Sequence, residues 1–132
     1  MRFDHFQSKA EAIAYIRENV YGCAEYKNAE AYLREHVPRE RHYQRKIIDF
    51  IEKTYPRAVV WKAAAGPYTK TGIPDVCAVI NGMFYGFEIK RPYFGEPSKR
   101  QLQFIDEIRV AGGVAEVVTF PHEVQAIVEE HL

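Results

Sequence analysis

Two carboxylates and a lysine bracket a short apolar stretch of the sequence, in the order Asp75, Glu88 and Lys90. The residues between the acids read as two β-strands joined at Asn81-Gly82, a dipeptide that favours a two-residue type I′ hairpin. This turn aligns Asp75 with Glu88 across the strand pair, in the close, non-hydrogen-bonded register. Lys90 follows Glu88 by two residues and therefore points to the same face of the hairpin.

This triad predicts chemistry on a phosphodiester. Two like charges opposed on neighbouring strands are destabilising unless positive charge lies between them. A divalent ion such as Mg²⁺ meets that need, because it takes carboxylate oxygens and keeps water and phosphate oxygens as further ligands. The lysine is suited to a phosphate oxygen or a nucleophilic water. The pattern therefore indicates a site where a metal activates water and a lysine stabilises charge.

The same residues also fit a plainer interpretation, an exposed hairpin on which Glu88 and Lys90 form a surface ion pair. A turn longer than two residues would shift the register by one and separate the two acids. The alignment of Asp75 by the turn favours the metal site, and so does the apolar character of both strands, which suggests burial on both faces.

The elements around the hairpin follow from periodicity, which predicts the order α-α-α-β-β-β-α-β-α. Helices are expected over residues 8–21, 27–36, 39–55 and 121–130, with a further helix between the N-cap Ser98 and the terminator Gly112-Gly113. Strands are expected over residues 58–65 and 114–120, beside the two strands of the hairpin. The length of 132 residues fits one compact domain.

The composition, 47% hydrophobic and 27% charged, is typical of a soluble globular protein, and no apolar stretch is long enough to cross a membrane. The N-terminus lacks a signal-peptide core, so we expect a cytoplasmic protein. Net charge is zero, but residues 39–100 hold twelve Lys or Arg against six Asp or Glu, and both flanking segments are net negative. This basic centre predicts a phosphate-facing surface, with a solvated charged face as the alternative.

The motif "GIPD", twelve residues and then "EIK" resembles the PD-(D/E)XK nuclease signature. The stretches "YTKTGIPDVCAVINGMFYGFEIKRP", "SKRQLQF" and "AGGVAEVV" resemble the VRR-NUC branch of that superfamily, and the resemblance covers about residues 40–118. It implies an α/β fold with a restriction-endonuclease-like core, in which helices flank a mixed central β-sheet. Residues 1–38 are then an N-terminal helical extension packed on a nuclease domain of residues 39–132.

The activity implied by the resemblance is cleavage of DNA phosphodiesters with Mg²⁺ or Mn²⁺, often in branched or flapped DNA. Small stand-alone members of this branch, typical of phage-related genomes, resemble Holliday junction resolvases and act as homodimers. A bacterial or phage-encoded homodimer is therefore expected. The alternative is a non-catalytic, structure-specific nucleic-acid-binding module that retains the nuclease fold.

The resemblance also assigns roles to residues of the hairpin and of the helix before it. Asp75 and Glu88 match the metal-binding acids, Lys90 matches the catalytic lysine, and the main-chain carbonyl of Ile89 is a further metal ligand. Glu40 matches a glutamate that family members carry in a pattern like "ERHYQ". Glu40 and Gln44 also continue an apolar helical stripe, where polar side chains need a polar partner such as a metal site or else meet solvent.

Gln101 matches the glutamine that the family carries on the helix after the hairpin. The sequence offers a second role, because Ser98 and Gln101 have the spacing of a capping box, in which the glutamine closes the helix start. One side-chain amide is not expected to fill both roles fully, and the resemblance favours the catalytic site. Six residues of the basic centre are expected to contact nucleic acid: Lys62, Tyr68, Lys70, Arg91, Lys99 and Arg100.

Overall fold

The computed structural model of the chain describes residues 1–64 and 70–132. Within these ranges the elements follow the predicted order. The helices are α1 (Lys9–Asn19), α2 (Tyr26–His36), α3 (Glu40–Thr54), α4 (Lys99–Val110) and α5 (Pro121–Glu129), and the strands are β1 (Val59–Lys62), β2 (Val76–Ile80), β3 (Met83–Ile89) and β4 (Val114–Val118). Tyr68 and the end of the first predicted strand at Ala65 lie outside the described residues.

The chain divides into two compact units, residues 1–39 with 91–95 and residues 40–90 with 96–132. In the described part of the chain, no helix has the length and hydropathy that crossing a membrane requires. The metal-site candidates Glu40, Asp75, Glu88 and Lys90 all belong to the second unit.

The first unit is built on α1 and α2. Ser8 caps α1, since its hydroxyl accepts a hydrogen bond from the backbone amide of Glu11. Arg91 caps the C-terminal end of α2, because its guanidinium donates to the carbonyls of Arg34 at 2.7 Å and Val37 at 3.0 Å. The helices enclose a separate small core of apolar residues: Phe3, Ala12, Ile13, Ile16, Cys23, Ala29, Leu33 and Val37.

The second unit contains a four-stranded sheet in the order β1-β2-β3-β4. The first three strands pair antiparallel, and β4 joins β3 in parallel after the α4 crossover, so the sheet is mixed. Asn81 and Gly82 have φ angles of 52° and 82°, as a type I′ turn requires. The turn sets Ile80 opposite Met83, which confirms the predicted register.

The two faces of this sheet carry different helices. Tyr43, Ile47 and Ile51 of α3 pack with Tyr85 and Phe87 of β3 in the main core, to which α5 also contributes. Gly86 lies on the alternate face, where an added Cβ would come within 2.9 Å of Pro74 and 3.3 Å of Ile108 of α4. The result is the predicted α/β architecture, a mixed sheet with helices on both faces.

Candidate metal centre

Three carboxylates converge in the second unit at one end of the hairpin. Glu40 is the first residue of α3, Asp75 directly precedes β2, and Glu88 lies near the end of β3. One oxygen from each lies within 4.8 Å of the other two. The structure therefore brings together the acids that the hairpin register and the resemblance singled out, although they come from three separate elements.

Asp75 is fixed by the backbone on both sides. Its Oδ2 accepts a hydrogen bond of 3.0 Å from the amide of Ile89, across the hairpin. Its own carbonyl accepts one of 2.9 Å from Ala63, which continues the pairing of β1 with β2. Because Gly86 of β3 has no side chain, Pro74 packs directly against this strand. Asp75, the next residue after Pro74, is therefore held close to β3. One carboxylate oxygen of Asp75 is thus committed to orientation, and the carboxylate lies within reach of Glu40 and Glu88.

Glu88 is the fully buried member of the cluster, with no exposed surface. Its Oε2 lies 2.8 Å from Nε2 of Gln101 and 3.2 Å from Nζ of Lys90. Its Oε1 is also buried and has no hydrogen-bond partner among the described residues. Burial, followed by the neighbouring Asp75 carboxyl group, raises the pKa of Glu88 to about 8, and Lys90 offsets only part of this rise.

Lys90 joins two of the acids. Its Nζ lies 3.3 Å from Oε1 of Glu40 and 3.2 Å from Oε2 of Glu88. Burial of the ammonium group works against its charge, but the Glu88 and Glu40 carboxylates outweigh this and raise the pKa of Lys90. Lys90 is therefore a protonated, partly buried cation beside the carboxylates, as the spacing in the hairpin predicted.

Gln101 corrects one expectation, because a single amide caps α4 and also contacts Glu88. Its Oε1 accepts a 2.7 Å hydrogen bond from the amide of Ser98, while the Ser98 hydroxyl accepts one from the amide of Gln101. These two bonds form the capping box of α4. The Gln101 Nε2 remains available and donates to Glu88. The expectation of competition was wrong because the two roles use opposite ends of the amide group.

Two further residues near the cluster escaped the sequence analysis. Thr119 donates a 2.8 Å hydrogen bond from its hydroxyl to the carbonyl of Lys90 and so holds the backbone of that lysine. Glu123 in turn accepts 2.9 Å hydrogen bonds from the amides of Thr119 and Phe120. A glutamate at the third position of a helix that begins at Pro121 is the sequence signal that indicates this turn. The parallel alignment of β4 with β3, which brings Thr119 to Lys90, has no such local signal.

The donor set fits a hard divalent cation. Carboxylate oxygens are the ligands that Mg²⁺ and Mn²⁺ take in proteins. A buried Glu88 oxygen without a partner is costly unless a proton or a cation satisfies it, and both neighbouring acids offer a further oxygen. The carbonyl of Ile89 stays a predicted ligand, while its amide already serves Asp75.

The residues predicted to contact nucleic acid lie on several different elements. Lys70 and Arg100 both lie over the ring of Phe104 on α4, at 5.7 and 5.5 Å from its centroid. Arg100 also pairs with Glu107 at 3.7 Å. Lys99 is exposed at the first position of α4, Lys62 ends β1, and Arg91 lies in the first unit on the α2 carbonyls. Their contact with nucleic acid stays a prediction.

The fold has a counterpart among solved structures. A structure described as a VRR_NUC domain is similar to this chain, with a TM-score of 0.54 and 19% sequence identity over 68% of this chain and 97% of that one. Models of known protein families do not match the sequence, and neither do curated proteins. Since identity is low, the likeness concerns the fold. The chain therefore has a VRR-NUC-like fold, an α/β arrangement of the restriction-endonuclease type.

Proposed function

We propose that this protein is a metal-dependent, structure-specific DNA endonuclease that hydrolyses phosphodiester bonds. One observation carries the proposal: the carboxylates of Glu40, Asp75 and Glu88 meet within 4.8 Å, and Lys90 lies within 3.3 Å of two of them. A VRR-NUC-like fold is a second support. Phosphodiester cleavage needs a cation held by acids and a positive group near the reacting phosphate, and this cluster offers both.

The metal in this proposal is Mg²⁺ or Mn²⁺, held by Asp75, Glu88 and Glu40, with the Ile89 carbonyl as a further ligand. Such an ion supplies Lewis-acid chemistry toward a phosphodiester and its attacking water. Glu88 gives up its proton to act as a ligand, and Lys90 and Gln101 beside its Oε2 favour the carboxylate form.

Lys90 is the catalytic residue of this centre. Its ammonium group stabilises the negative charge that develops on the phosphate, or orients the attacking water. Its position depends on Thr119, which holds the Lys90 carbonyl, and on the pairing of the Lys90 amide with Val118 at 3.0 Å. Gln101 acts through Glu88 and is a positioning residue: its amide fixes Oε2 and leaves Oε1 directed to the ligand.

The substrate in this proposal is branched or flapped DNA, including Holliday junctions, and the protein acts as a homodimer. The resemblance of the hairpin and α4 motifs to VRR-NUC members supports both statements. Two symmetry-related sites are compatible with nicking two strands of a four-way junction. The mass of the protein in solution, measured by light scattering, tests the homodimer.

The test is cleavage of labelled linear, flapped and four-way-junction DNA with Mg²⁺, Mn²⁺ or EDTA. Lys90→Ala is expected to lower the rate by at least about 100-fold, because it removes the positive group from the reacting centre. Lys46→Ala, a change at an exposed lysine of α3, is the matched control and should cut at the wild-type rate. Structure-specific binding without cutting by the wild type would instead support the non-catalytic binding module.

A further inference from the structure

A second polar feature lies beside the carboxylates, between α3 and β1. It is a cavity of about 220 Å³ lined by Arg41, Gln44, Arg45, Ile48 and Lys62. Three of these five residues are cations, and none of the three forms an ion pair within residues 1–64 and 70–132. A concave surface with three unneutralised positive charges is suited to a strongly anionic ligand.

Gln44 adds a polar side chain to the lining of the cavity. Its residue surface is only 7% exposed, yet its side-chain amide has no hydrogen-bond partner in the part of the chain that the structure describes. Because Gln44 lines the cavity, its NH₂ group can donate a hydrogen bond to an anionic ligand there.

The cavity lies close to the metal centre along α3. Gln44 follows Glu40 by four residues, which is about 6 Å along the helix axis, on the same side of the helix. Lys62 pairs with Val76, whose side chain packs in the core with α3, so Lys62 points to the α3 face of the sheet. A nucleic-acid strand carries one phosphate about every 3.4 Å of helix axis. A strand with one phosphate at the carboxylates therefore has further phosphates near enough to reach the cavity.

We infer that this cavity is a phosphate subsite, which binds a non-scissile backbone phosphate of the strand that is cut. The inference rests on the proposed function and adds to it the residues that place the strand. Arg41 and Arg45 supply guanidinium groups, whose planar donors match phosphate oxygens. Lys62 adds a point charge from the sheet side, and Gln44 adds a neutral donor at the floor. These residues bind substrate and position it, while cleavage itself remains with the carboxylates and Lys90.

The test measures binding of the best-cut DNA by fluorescence anisotropy with Ca²⁺, over a series of salt concentrations. Arg41→Gln/Arg45→Gln/Lys62→Gln is expected to weaken binding by at least about tenfold. It should also reduce the slope of log K against log salt by about 1, as expected for one lost phosphate contact. Lys46→Gln/Lys53→Gln/Arg57→Gln removes three exposed cations of the same unit outside the cavity and serves as the matched control.

Neutral methylphosphonate linkages locate the contact on the DNA. In wild-type protein, one substituted position close to the cleaved bond should weaken binding, and the triple variant of the cavity should no longer respond to that position. Gln44→Glu tests the floor with an isosteric change and should also weaken binding, since it places a carboxylate against the phosphate. Circular dichroism and thermal unfolding confirm that each variant is folded.

Wild-type affinity and salt slope in the cavity variant would overturn the inference, and so would an equal loss in the control variant. If wild-type protein binds and cuts DNA while the cavity variant is unaffected, only the phosphate subsite is wrong. If wild-type protein binds no DNA structure at all, the proposed function is wrong, and the subsite falls with it.

Discussion

A carboxylate without solvent contact is expensive to ionise, and Glu88 occupies that position inside the cluster. Its Oε1 has no partner among the described residues, whereas its Oε2 has two donors. In the absence of metal, burial raises the pKa of Glu88 to about 8, and the neighbouring Asp75 adds to this rise, so a proton on Glu88 removes both the buried charge and the repulsion with Asp75. A divalent cation relieves the same repulsion in another way. The proton and the metal therefore compete for one position.

The pH dependence of stability follows from this residue. The pKa of Glu88 rises from 4.5 to about 8 on folding, so the folded protein binds the proton more tightly than the unfolded chain. This contribution to stability is complete below 4.5 and is lost as the pH rises through about 8. In EDTA, the melting temperature of the protein should therefore fall over this range.

Glu88→Gln supplies the comparison for that measurement. A glutamine has the same shape and does not titrate, so the variant should lose most of the decrease in melting temperature over the same pH range. Mg²⁺ should stabilise wild-type protein more at the alkaline end, where the ligand is ionised. A wild-type melting temperature that rises with pH in EDTA would contradict the raised pKa.

A residue of the site could be predicted from the sequence where local structure determines its position. Asp75, Glu88 and Lys90 share one hairpin, so a turn dipeptide and a period of two residues were enough to align them. Gln101 was found by resemblance, but its use of both amide ends needed coordinates. Arg41 and Arg45 were not singled out, because the cavity that they line is formed by a helix together with a strand distant in the sequence.

At the scale of elements, the segment that leads to Asp75 is held against the start of α4. Gly72 has a φ of +84°, and an added Cβ would lie 2.7 Å from the carbonyl oxygen of Arg100. That carbonyl adjoins Gln101, the residue that caps α4 and contacts Glu88. A glycine at position 72 therefore lets two elements that build the metal centre approach each other.

Gly72→Ala should be more destabilising than Gly82→Ala, and the difference in unfolding free energy measures the close contact between residue 72 and the start of α4. Both glycines have a left-handed φ, which costs alanine about 1–2 kcal/mol, but open space surrounds Gly82 and backbone atoms face Gly72. Urea unfolding should give a loss of about 1 kcal/mol for Gly82→Ala and a clearly larger one for Gly72→Ala. Cleavage should fall in Gly72→Ala alone. Equal losses of stability would show that the contact with α4 is not tight.

Element types and order followed from periodicity, and the bounds were less accurate. The first predicted strand covered residues 58–65, whereas β1 comprises Val59–Lys62. The last predicted strand extended to residue 120, but β4 ends at Val118 because Glu123 binds the amides of Thr119 and Phe120 and starts the turn into α5. Capping contacts of this kind override strand propensity at the end of a strand.

For the whole molecule, the net charge of zero conceals an uneven distribution, because residues 39–100 hold twelve Lys or Arg against six Asp or Glu. Within the second unit these cations include Arg41 and Arg45 on α3, and Arg100 on α4. The mixed sheet was predicted by resemblance, since the parallel pairing of β4 with β3 depends on a crossover that periodicity alone does not reveal.

The most direct test of the central claim is a Mn²⁺ titration followed by electron paramagnetic resonance, which reports the free ion. Wild-type protein should remove Mn²⁺ from the free-ion signal, and Mg²⁺ should release it. Asp75→Asn/Glu88→Gln should leave the ion free, because both carboxylates that meet across the hairpin are then neutral. Absence of binding by wild-type protein, or equal binding by the double variant, would contradict the assignment of Glu40, Asp75 and Glu88 as a metal centre.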